Sequence, residues 1–184
     1  NHALNLALKG EDRVVEARFG YQNMPDQLYP NQRMDLLDNE QKRVNLSLQQ
    51  ATGWGDLEVR GYYEKVDHYM NFGDDKQLVY GTATNGMPMT SESDNLGATV
   101  KATIDLNDSD ALRVGAELQQ YTLDDYWDPS GTGAMSPNVF LNVNNGERDR
   151  YAAFAEWEHQ ASSQWMTTLG VRYEHVAMSA DEVH

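Results

Sequence analysis

His68 and Met70 stand two residues apart at the end of an alternating run, Tyr62-Tyr63-Glu64-Lys65-Val66-Asp67-His68-Tyr69-Met70. On an extended backbone such residues share a face, with Cβ atoms about 7 Å apart. An imidazole beside a thioether suits a soft metal ion. Neutral sulfur discriminates against calcium and magnesium and favours Cu(I), and imidazole adds affinity for copper in general. Neither ligand has to lose a proton as long as His68 is neutral near pH 7. The same spacing also occurs in ordinary surface pairs, so spacing alone leaves both readings open.

The strand carrying this pair presents Glu58, Arg60, Tyr62, Glu64 and Val66 on the face of His68, and Leu57, Val59, Gly61, Tyr63, Lys65 and Asp67 on the other. One polar face and one face apolar over its first half is a pattern found eight times. It predicts strands near 3–9, 13–22, 42–51, 56–70, 94–105, 111–121, 149–159 and 164–176. The apolar face carries Leu4, Leu6, Leu8, Phe19, Leu46, Val59, Val100, Leu118, Trp157, Leu169 and Val171. The other face carries charges and glycine in nearly every strand, which a water-excluded core does not tolerate.

Connections after the first, third, fifth and seventh strands are short; those after the second, fourth and sixth are long, and Asn144-Asn145-Gly146 reads as a turn in the last of them. Short turns at one end, long loops at the other and apolar-out, polar-in alternation describe an all-β, antiparallel up-and-down sheet of a transmembrane β-barrel. Tyr21, Tyr151, Trp157, Trp165 and Tyr173 fall near strand ends, where interfacial girdles form. A soluble β-sandwich also alternates, but does not sort its loops by length.

The chain has 184 residues, a net charge of −15 and no cysteine. Such an acidic balance argues against nucleic acid, whose phosphates call for a basic face. No stretch is long and apolar enough for a membrane-spanning helix, no signal peptide is visible, and both ends read as cut from something longer. His2, His159, His175 and His184 are scattered near turns or termini, and Asp124-Asp125 has no partner acid. No nucleophile–base constellation emerges, so the chain is not expected to be an enzyme.

Several longer motifs occur in one order. The run from Gln22 to Asp35 resembles the first long loop of a TonB-dependent outer-membrane receptor. Asp67 to Lys76, Gly86-Met87-Pro88-Met89 and Gly131 to Asn138 resemble the copper-receptor branch of that family, and Leu112-Arg113-Val114-Gly115 and Leu169-Gly170-Val171-Arg172 fall within the same resemblance. The resemblance covers most of the chain. It implies about eight strands of a 22-stranded barrel in the outer membrane of a Gram-negative bacterium, filled by a plug domain that contacts TonB. The plug, the TonB box and the closing strand would lie outside residues 1–184.

The resemblance further implies that His68 and Met70 are the barrel's metal ligands, with copper ion as the transported ligand, lipid around the barrel and no nucleic-acid partner. The plug's Cys and Met ligands have no counterpart here, which leaves the site incomplete. The competing function is a small eight-stranded outer-membrane barrel used for anchoring or adhesion. Met24, Met34, Met87, Met89 and Met135 fall in the long loops together with Asp74, Asp75, Glu92, Asp94, Asp124, Asp125 and Asp128. There they pack the loops over the barrel mouth or hand copper inward.

Overall fold

Valine, threonine, tyrosine and leucine at alternate positions favour an extended, half-buried backbone, and the computed structural model is built from strands. It describes residues 1–72, 76, 78–80, 83–86, 88–130 and 138–184. The strands are β1 (His2–Lys9), β2 (Arg13–Asn23), β3 (Asp35–Thr52), β4 (Gly55–Asn71), β5 (Leu78–Tyr80), β6 (Ala83–Asn85), β7 (Met89–Asn107), β8 (Asp110–Trp127), β9 (Phe140–Ser162), β10 (Trp165–Ser179) and β11 (Glu182–Val183). One sheet runs β1-β2-β3-β4-β7-β8-β9-β10, with β11 also paired to β9; β5 and β6 form a separate hairpin. All neighbours are antiparallel. β1 and β10 stand at opposite ends of the order and do not meet.

The register places the alternation in rows that cross the whole sheet. One row reads Leu8, Val15, Leu48, Val59, Val100, Ala116, Ala153 and Tyr173. A protein in water covers such a face with a second layer. Here Leu36 and Ala152 are the buried hydrophobic residues among those described, while Leu8, Leu169 and Val171 are 76%, 61% and 70% exposed. A single sheet that keeps its apolar side uncovered has the form of a barrel wall facing lipid. On β10, Trp165 and Tyr173 lie eight residues apart, about 27 Å along a strand, against an apolar band about 25 Å tall.

The opposite face is wet and ion-paired. Arg113 reaches Glu156 and Glu158 at 2.8 Å each, and Arg172 reaches Glu117 at 2.8 Å and Glu174 at 2.9 Å. Arg150 sits 3.5 Å from Glu117 and 3.6 Å from Glu174. Gly55 closes the turn between β3 and β4 with φ of 133°, and a Cβ there would lie 2.0 Å from the Thr103 carbonyl oxygen.

The short connections fall where expected, but the strands run well past their predicted limits on the long-loop side. β3 starts at Asp35, β7 at Met89 and β9 at Phe140, while β8 continues to Trp127. Above the apolar band both faces meet water, so the alternation fades although the pairing continues. The Asn144-Asn145-Gly146 segment is a bulge inside β9 rather than a turn: Leu123 pairs with Gly146 and Asp125 with Val143. Asn145 takes the left-handed conformation (φ 49°). Its N–H donates to Asp124 Oδ1 at 2.7 Å and its side-chain amide donates to Asp181 Oδ2 at 3.2 Å. The register also shifts between Leu36 and Asp38, among other places.

Candidate metal centre

β4 climbs from the short turn at Gly55 to Asn71, held by β3 on one side and β7 on the other. Tyr63 marks the upper end of its apolar face. His68 lies five residues farther on, about 17 Å along the strand and so beyond the lipid-facing band. Register places Asn39, His68, Ser91 and Asp125 in one row across β3, β4, β7 and β8. The next row toward the loops on this face reads Leu36, Met70, Met89, Trp127 and Phe140. His68 and Met70 therefore do share the concave, ion-paired face of the sheet.

Met89 had been expected in a loop. It is instead the first residue of β7, directly opposite Met70. Directly opposed residues hold their Cβ atoms about 4.5–5.5 Å apart on one face. No spacing rule in the sequence brings these two methionines together; the β4–β7 register does. Met24 and Met34 lie between β2 and β3, as expected. Met87, Met135, Asp74 and Asp75 lie outside the described residues, whereas Glu92, Asp94, Asp124 and Asp125 belong to strands.

The His68 ring is oriented by its neighbour. Nδ1 donates to Asn39 Oδ1 at 2.9 Å, which puts the proton on Nδ1 and leaves Nε2 the unprotonated nitrogen, with a lone pair suited to a metal. Partial burial holds the His68 pKa below its usual 6.5, with the charge of Asp125 acting in the opposite sense. Desolvation disfavours the imidazolium, so the ring stays in its metal-binding form.

Around this pair the wall is apolar. Leu36 is 3% exposed, the Trp127 and Phe140 rings lie 5.5 Å apart, and Phe140 lies 5.0 Å from His184. The indole Nε1 of Trp127 is buried without a hydrogen-bond partner among the described residues. Next to Leu36, the buried Asp35 carboxylate accepts the Tyr29 N–H at 2.7 Å and pairs with Lys76, whose ammonium also donates to the Tyr29 carbonyl at 2.7 Å. This clamp ties the β2–β3 loop to the segment that follows β4. Among the described residues, no three His, Cys, Asp or Glu side chains are grouped to hold a metal. A centre here rests on thioethers and one imidazole.

Comparison with known proteins follows the same lines. No curated protein sequence matches the chain. Among solved structures, the "Copper transporter OprC" superposes with a TM-score of 0.79 over 98% of this chain at 17% identity. The ferric citrate transporter FecA, in its unliganded form, superposes with a TM-score of 0.63 over 97% at 14% identity. At such identities the likeness is one of fold. The chain spans 28% of the first and 30% of the second. The family profile described as "TonB dependent receptor-like, beta-barrel" matches residues 3–184. With nearly every residue inside that match, the chain belongs to the TonB-dependent receptor β-barrel family.

Proposed function

We propose that this chain is part of an outer-membrane TonB-dependent receptor that binds and imports copper ions, with His68 and Met70 as ligands supplied by the barrel wall. The observation that carries the reading is their arrangement. They share the concave face above the lipid band, with Nε2 of His68 unprotonated and the neighbouring row made of Leu36, Met89, Trp127 and Phe140. The chemistry of that donor pair favours copper over hard cations. The name of the copper transporter OprC, whose fold the chain shares, points the same way.

The partners follow from the faces. Membrane lipid covers the apolar side, while a plug domain and TonB engage through parts of the receptor beyond residues 1–184. A ferric citrate cargo, as the name of FecA gives for that protein, fits less well, because an imidazole and a thioether offer little to an anionic chelate of a hard ion. A small closed barrel for anchoring is disfavoured because β1 and β10 do not meet.

The test is copper uptake by cells carrying the receptor, together with metal stoichiometry on the purified protein. The His68→Ala, Met70→Leu double variant is expected to lose most uptake and bound copper while assembling normally, since neither side chain faces lipid. Undiminished copper in that variant places the site elsewhere.

A further inference from the structure

We propose that Met89 is a third barrel ligand, so that His68, Met70 and Met89 together hold one soft monovalent cation, Cu(I) or Ag(I), between β4 and β7. This rests on the copper reading of His68 and Met70 and goes beyond it. The wall then carries a three-donor set of its own, instead of two ligands waiting for the rest of the site.

Three observations carry the proposal. Met70 and Met89 are a direct cross-strand pair, and His68 stands on the same face one row away. That register puts two thioethers and an imidazole on one face, within a row of each other. Methionine is unbranched and polarisable, so each thioether can turn toward an ion that its backbone only approximately addresses.

The second observation is charge. All three donors are neutral, and no carboxylate belongs to the Met70 row. Asp125, in the row of His68, sits two strands over, about 9.6 Å across the sheet, with its Oδ1 accepting from Asn142 at 3.1 Å. A divalent ion entering this spot would lose its water with no anion in the row, among the described residues, to compensate, whereas a soft monovalent ion loses far less. The third is Trp127, which follows Met89 in the row. Its half-buried indole stands directly across from Met89, where an aromatic ring adds attraction for a cation.

If the two methionines only fill space, leucine serves equally well at position 89. Silver is the probe of choice because it is soft, monovalent and redox-inert in air. Ag(I) affinity of the purified receptor in detergent would be measured for the wild type and for Met89→Leu, Met70→Leu and His68→Ala, with assembly checked by heat-modifiable migration. The expected result is a loss of at least tenfold for Met89→Leu, comparable to that for Met70→Leu, with zinc failing to compete.

Wild-type affinity in Met89→Leu, alongside weakened His68→Ala and Met70→Leu, overturns the role of Met89 and leaves the copper reading standing. Full affinity in all three overturns both. A second readout needs no change at Met89: Ag(I) should quench a tryptophan signal in the wild type that is absent in Trp127→Phe. Equal quenching in the two proteins means that the ion does not sit beside β8, and it overturns the proposal even if Met89→Leu fails to assemble.

Discussion

Asn39 sets the chemistry of His68 without being a ligand itself. Its Oδ1 accepts from Nδ1 and thereby fixes the tautomer that offers Nε2 outward. Outer partners of metal-binding histidines commonly contribute 10–100-fold in affinity. Asn39→Leu is therefore expected to weaken silver binding about tenfold, and Asn39→Asp, which keeps an acceptor, to recover most of it; equal affinity in both variants contradicts the positioning role. The pH dependence follows from the same ring. Folding favours neutral His68, so its pKa lies below 6.5, and the protein is penalised as the pH falls through that range, not as it rises. Silver occupancy should accordingly reach half its maximum below pH 6.5, the unperturbed value. Asp125→Asn should lower that midpoint further, because the carboxylate favours the protonated ring. A midpoint above the unperturbed value contradicts this account of burial.

At the scale of strands, the turn after β3 offers a direct check. Gly55 has φ of 133°, and an added Cβ would meet the Thr103 carbonyl oxygen. Gly55→Ala should cost roughly 1–3 kcal/mol, read as a lower urea midpoint for unfolding from lipid; an unchanged midpoint means the turn relaxes freely. The lower half of each strand was legible in the residues, because lipid on one face and water on the other impose alternation, as in Leu96, Ala98, Val100, Ala102 and Ile104 of β7. The upper half of β3, β7, β8 and β9 was not. Met89-Thr90-Ser91-Glu92-Ser93 reads as a polar loop, yet it is paired residue by residue with β4. The bulges near Leu37 and Asn145 shift the phase where the apolar signal has already faded. His68 and Met70 were visible because two residues on one strand need no register to share a face. Met89 and Asn39 join them only through pairing across the sheet, which spacing along the chain does not encode.

For the whole molecule, the two faces make opposite demands on a substitution. Val100 is the middle residue of the apolar series on β7 and is 44% exposed. Val100→Arg should destabilise the assembled barrel by about 2–4 kcal/mol, as for cationic residues near the bilayer midplane. Thr99→Arg, one residue away on the wet face, should cost much less. Urea titrations of the receptor in bilayers measure both, and equal costs would mean that the outer face does not meet lipid.

The contrast between the top and the middle of the concave face has an energetic consequence. On β4 and β7 the soft donors of this face, His68, Met70 and Met89, all lie in the outermost rows. Below them come guanidinium–carboxylate pairs that already satisfy one another, such as Arg113 with Glu156 and Arg172 with Glu117. For a thiophilic ion held as proposed, the affinity gradient along these two strands points back toward the exterior. If the receptor imports such an ion as proposed, capture is spontaneous, and the work of import lies in detaching the ion rather than in moving it across. A receptor built this way stalls loaded whenever its energy supply is cut.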